Sequence, residues 1–277
     1  MGSPAIFPAV TASSLNSPTK ADPTVTMFSL DSICGRRWTK SCILAAALGS
    51  WLLLLWGAAN MQSPLAHLMM PTSAWSIENW LAVFIMWVIM MAAMMLPSAA
   101  PMFLCFAALS RSRNEGTRTL LFVLAYLALW IAFSVAATAA QWALQSIGLI
   151  SPMIVSRSSV LSGGLLLIAG LFQFSRIKHA CLRACRSPLG FLLSDWRPGL
   201  WGAWGMGMRH GFYCLGCCWA LMALLFVGGA MNLLWIAALT GLVSLEKLAP
   251  KGELVARALG GVMIGAGVAK WAWTSLP

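Results

Sequence analysis

The stretch Thr119–Trp142, TLLFVLAYLALWIAFSVAATAAQW, holds no charged residue from end to end. A helix needs about 20 such residues to cross the ~30 Å hydrocarbon core of a bilayer. The apolar residues are continuous rather than alternating, which rules out a transmembrane β-barrel strand. Outward from this run, 42–60 and 80–105 precede it with the same character, and 159–175, 201–229, 231–246 and 258–275 follow. The run 231–246 is the shortest, and Gly228-Gly-Ala-Met-Asn232 supplies a tight turn before it. Pro97 and Pro101 should kink or end the second run. The expected fold is all-α, a polytopic transmembrane helical bundle of about seven helices, or six if 231–246 does not stand alone.

Composition agrees. Hydrophobic residues make up 60% of the 277 and charged residues 9%, against about 45–50% and about 25% in soluble domains. Such a chain cannot clothe itself in polar surface. Trp (15) far outnumbers Tyr (2), and many Trp lie near the ends of apolar runs, as expected at a membrane interface.

The net charge of +11 suggests nucleic acid until the basic residues are located. They sit in short clusters between apolar runs, with little aromatic interleaving, so no nucleic-acid partner is assigned. With the N-terminus cytoplasmic, all 18 basic residues fall on the inner side except Arg157, Lys270 and Arg209. That is the positive-inside pattern. Residues 1–40, rich in Ser, Thr and Pro, read as a disordered cytoplasmic tail, and 41–277 as the transmembrane helical domain.

Polar and soft side chains are costly inside a membrane, so their clustering carries information. The densest cluster runs from Met206 to Cys218 in the fifth run. At about 100° per residue, Met206, His210, Cys214 and Cys217 fall within about 80° on one helical face, with Cys218 at its edge. Thiols and imidazole together suit Cu(I) or Zn(II). The plain alternative is that each Cys packs as a small hydrophobe beside glycines. Arg209 and His210 weigh against it, because both need a partner or water in a bilayer.

A second cluster, His179-Ala-Cys-Leu-Arg-Ala-Cys-Arg186, falls in the cytoplasmic segment after the fourth run. If helical, it places Cys181 and Cys185 one turn apart. Its alternative is a basic amphipathic stretch on anionic headgroups. Met86, Met90 and Met94 recur every fourth residue of the second run. They form a thioether column for a soft ion or, as plainly, core filling. His67 and Glu78 read as solvated loop residues, Cys34, Cys42 and Cys105 as structural, and Glu246-Lys247 as a neighbouring charge pair that snorkels to the interface. No phosphate loop, zinc-protease helix or nucleophile–base–acid arrangement is present, so no catalytic role is assigned.

Met91-Ala-Ala-Met-Met-Leu-Pro-Ser98, Cys181-Leu-Arg-Ala-Cys-Arg-Ser-Pro188, His210-Gly-Phe-Tyr-Cys-Leu-Gly-Cys-Cys-Trp-Ala-Leu-Met222 and Glu246-Lys-Leu-Ala-Pro250 occur in that order. Together they resemble the hallmarks of a bacterial family of predicted metal-binding integral membrane proteins, a domain of unknown function linked to copper handling. The resemblance covers roughly residues 80–270. It implies a multi-pass protein of the bacterial cell (inner) membrane that handles metal. The expected metal ligands are His210, Cys214, Cys217 and Cys218, with Cys181 and Cys185 as a cytoplasmic docking pair and Met90 and Met94 assisting. The expected ion is Cu(I), with Zn(II) second, and the expected partners are the lipid bilayer and a metal donor or acceptor protein or a membrane complex. Two other readings stay open. Cys214-Leu-Gly-Cys217 with a second thiol pair suits a transmembrane thiol–disulfide electron relay. Glycine pairs such as Gly163-Gly164 and Gly260-Gly261 suit a non-catalytic subunit or assembly factor of a membrane complex.

Overall fold

The computed structural model describes residues 30–70, 75–110, 115–152 and 154–275. The expected tail as far as residue 29, with Lys20, lies outside the described residues, as do Arg111 and Arg113. Every regular element among the described residues is a helix. In chain order these are α1 (Leu30–Ala59), α2 (Pro64–Met69), α3 (Ile77–Leu109), α4 (Glu115–Ser146), α5 (Ser159–Phe172) and α6 (Arg176–Arg186). Then follow α7 (Pro188–Ser194), α8 (Gly199–Ala223), α9 (Leu225–Gly228), α10 (Leu233–Leu248) and α11 (Gly252–Ser275).

Five segments are long and apolar enough to cross a membrane: Thr39–Ala59, Ile77–Leu109, Gly116–Ser146, Gly199–Gly228 and Gly252–Ala272. The fourth run behaves differently from expectation. It ends at Phe172, turns by 65°, and continues as α6, so the pair α5–α6 makes a sixth candidate as one bent unit. The run 231–246 forms α10, whose 16 residues reach only ~24 Å at 1.5 Å of rise each. By length alone, the expected seven spans are therefore not reached among the described residues.

Pro97 and Pro101 do not end the second helix. α3 continues through both to Leu109. A helical proline lacks one N–H and frees the carbonyl four residues earlier. For Pro97 that is the Ala93 carbonyl, and the Trp51 indole N–H on α1 donates to it at 3.1 Å. The freed acceptor is satisfied by a neighbouring helix, as apolar surroundings require.

The expected turn at 228–232 forms. Gly229 takes φ 90, a left-handed value that favours glycine, and the Asn232 side chain then caps α10. Trp75, Trp80 and Trp142 gather where α3 begins and α4 ends, with ring centroids 5.2 and 5.9 Å apart in successive pairs.

α8 lies along α4 because Gly207 has no side chain there; a Cβ would run into the Phe122 carbonyl. Gly205, two residues earlier, faces open space. Gly207→Leu should therefore destabilise the fold by ~1–3 kcal/mol through forced separation of the two helices. Gly205→Leu should leave thermal unfolding in a bilayer nanodisc unchanged, and equal Tm losses for the two would contradict the packing account.

Candidate functional site

The close approach of α8 to α4 brings Tyr126 to Cys214, with Oη and Sγ 3.1 Å apart. From α10, Lys247 Nζ donates to the same sulfur at 3.0 Å and to Ser98 Oγ on α3 at 3.1 Å. Cys214, Tyr126 and Lys247 are all buried. The thiols of Cys217 and Cys218 each donate to the Cys214 carbonyl, at 3.1 and 2.8 Å. Cys218 Sγ also lies 4.0 Å from Met95 Sδ. A fourth cysteine comes from α6: Cys185 lines one cavity with Ser98, His210 and Lys247.

The turn that delivers Cys185 has a local cause. Ser175 caps α6, its hydroxyl accepting from Lys178 N at 3.1 Å. α6 then packs on α8 where Gly216 leaves room; a Cβ there would sit 2.9 Å from Cys181 Sγ. A buried polar lock holds the helix down. Lys178 Nζ meets Glu246 Oε2 at 2.7 Å, and Gln173 Nε2 donates to Glu246 Oε1 at 2.9 Å. Arg186 Nη2 completes the seam by donating to the carbonyls of Ala249 (2.6 Å) and Pro250 (2.8 Å).

The two cysteine clusters, separate in the sequence reading, thus lie against each other, Cys181 packing at Gly216 and Cys185 sharing a cavity with His210 and Lys247. The His210 ring stacks on Tyr126 at 5.4 Å and is 2% exposed, with neither nitrogen hydrogen-bonded. It faces a cavity of about 150 Å³ shared with Ser98, Cys185, Arg186 and Lys247, near exposed Pro101 and Leu248. Met90 and Met94 are fully buried on α3, and it is their neighbour Met95 whose sulfur meets Cys218. Among the described residues, no three His, Cys, Asp or Glu side chains surround one ion position.

Several sequence readings change. Glu246 and Lys247 neither pair with each other nor snorkel: one locks α6 and the other reaches Cys214. Arg209 is answered by Asp195 at 2.6 Å and by Tyr213 Oη at 3.4 Å, at a partly exposed surface. It therefore does not argue for a ligand site. His67 and Glu78 are exposed on α2 and at the start of α3. Cys42 is exposed, Cys105 is half-buried, and the Cys34 side chain lies outside the described residues. The sequence reading missed Tyr126 and the inward turn of Lys247, and it quoted Met95 and Ser98 in a motif without giving them a place at the site. Tyr126 had a signal, being one of two Tyr in a chain rich in Trp and Phe.

Residues 84–270 match the family described as copper chaperone, PpoB2. The chain belongs to this family. All the thiols of the neighbourhood, its lysine and its histidine fall inside the matched stretch, whereas α1 and α2 precede it. No curated protein and no solved structure matches the chain. A role in copper handling follows from the family.

Proposed function

We propose that the chain is a multi-pass membrane copper chaperone that carries Cu(I) on Cys214 and Cys217, with Cys218 and Met95 alongside and Cys185 closing on the ion from α6 as it binds. The observation that carries this reading is the buried Cys214 sulfur held between Tyr126 Oη and Lys247 Nζ, with the Cys217 and Cys218 thiols on its own carbonyl. Thiolates are the ligating form, and soft sulfur selects Cu(I). Two or three thiolates suffice for Cu(I), whereas structural Zn(II) sites are tetrahedral. Lys247 beside Cys214 places a positive charge where thiolates binding a monovalent ion leave net negative charge.

Orientation follows from the same end of the bundle. α10 brings Lys247 to the level of Lys178 and Arg186, the end that the positive-inside pattern assigns to the cytoplasm of a bacterial inner membrane. The bent α5–α6 unit and the short α10 then complete seven passes, with the N-terminus cytoplasmic. The cavity beside His210 and Cys185 provides the route by which an acceptor protein's ligands reach the ion, with His210 as a further donor on its wall.

Anaerobic Cu(I) titration of the full chain in nanodiscs, against a chromophoric chelator, tests this. Cys214→Ser with Cys217→Ser should abolish tight binding, and undiminished stoichiometry would refute the assignment. The packing of Cys181 on α6 against Gly216, inside Cys214-Leu-Gly-Cys217, also favours a second reading, a thiol–disulfide relay that releases two electrons and two protons on closing a disulfide. A reversible disulfide with a defined potential, together with no tight Cu(I) binding, would put the relay in its place.

A further inference from the structure

A second crevice, of about 200 Å³, opens between α1, α2, the first half of α3 and the turn into α10. Four methionines line it from four segments: Met61 after α1, Met69 on α2, Met86 on α3 and Met231 before α10. Met accounts for 17 of 277 residues, so four on one small wall is a concentration that calls for a reason. The wall holds no charged residue, and its Ser63 hydroxyl is already engaged in capping α2 at 3.3 Å. Its available donors are therefore thioether sulfurs. Met86 is 4% exposed at the base, and the other three are half-buried.

One helix, α3, runs from the crevice to the thiol cluster. Met86 begins the column Met86, Met90, Met94 on α3, one residue per turn and all buried. Met95, beside the end of that column, touches Cys218 at 4.0 Å. Nine residues separate Met86 from Met95 on one helix, or ~14 Å of rise.

We propose that this crevice is a thioether site for Cu(I) at the end of the bundle opposite the basic stretch, and that it feeds the thiol cluster along α3. It rests on the copper reading given above, and it adds a second, chemically distinct site. Thioethers are neutral and soft, so they take Cu(I) without first losing a proton, and the bound ion keeps its single positive charge. They cannot be lost to disulfides on the oxidising side of a membrane, where thiols are at risk. They also hold the ion less firmly than thiolates do, and this sets the direction of transfer. The competing occupant of such an apolar crevice is a lipid acyl chain.

The full chain in phosphatidylcholine nanodiscs is titrated anaerobically with Cu(I) against chelators of graded strength. The wild type should show a tight step and a weak step. Met61→Leu, Met69→Leu and Met231→Leu together should remove the weak step and keep the tight one. Replacing Cys185, Cys214, Cys217 and Cys218 by Ser should do the reverse, and the methionine variant keeps the test open if this one fails to fold. A wild type with no weak step, or a weak step unchanged by the methionine variant, overturns the entry site and leaves the thiol assignment standing. A weak step seen in detergent but absent in nanodiscs marks an acyl-chain crevice and overturns it too. A tight step that survives loss of the four thiols overturns the thiol assignment instead.

Discussion

Glu246→Leu should destabilise the folded chain by about 3–5 kcal/mol, and adding Lys178→Met should recover most of that loss. The Lys178–Glu246 pair is almost wholly withdrawn from solvent, with side-chain exposures of 1% and 2%. Removing one partner leaves the other charge stranded where neither water nor salt can answer it. Removing both exchanges a desolvated pair for apolar contact of similar volume, which is often neutral. Recovery should fall short by about 1 kcal/mol, because Gln173 Nε2 loses its acceptor as well. Thermal unfolding of the single and double variants in nanodiscs measures both quantities. Equal losses in the two would mean that the pair contributes through shape and not through charge.

The same pair bears on copper. α6 carries both Lys178 and Cys185, and α10 carries both Glu246 and Lys247. The ion pair therefore holds one thiol of the cluster against the helix that supplies the neighbouring ammonium. Glu246→Leu should weaken Cu(I) binding, and the double variant should restore it in step with stability. A double variant that regains its Tm without its affinity would assign Glu246 a role beyond fixing α6.

What the sequence disclosed follows from the range of each interaction. Helicity, the turn at 228–232 and the shared face of His210, Cys214 and Cys217 depend on residues a few positions apart, and periodicity reports those directly. The end of α5 was harder to see, since 159–175 reads as one apolar run and the break depends on Ser175 capping a new helix. Pro97 misled for a related reason. Its cost is met by Trp51, 42 residues earlier than Ala93, and no local rule registers such a partner. The site divided along the same line. The α8 thiols were legible as a stripe, whereas the placing of α6 and its cysteines against them depends on packing at Gly216 and a lock 68 residues long in sequence. Lys247 stands where charged residues close apolar helices, and such residues ordinarily reach for the interface. Two acceptors deep in the bundle, Cys214 Sγ and Ser98 Oγ, turn it inward instead.

That inward turn leads to the sharpest test of the site. Lys247→Met should weaken Cu(I) binding by about 10–100-fold, the usual cost of losing a group that supports metal ligands from outside the coordination shell. Two thiolates and one Cu(I) carry a net charge of minus one, and a buried net charge needs a partner. The ammonium 3.0 Å from Cys214 is the cation in direct contact with that sulfur. Methionine keeps the length and apolar bulk of the lysine stem, so packing should change little. Ser98 Oγ retains its bond to the Met95 carbonyl at 3.1 Å. The metal-free Tm should accordingly stay near the wild-type value while affinity falls, which separates a charge role from a structural one. Lys247→Arg keeps the charge but spreads it over a rigid planar fork, and should lie between the two. Because the site is buried, raising the salt concentration should leave the wild-type advantage intact, whereas an exposed pair would be screened. An unchanged affinity in Lys247→Met would mean that the ion's charge is balanced elsewhere, and the thiol cluster around Cys214 would no longer account for copper binding by this chain.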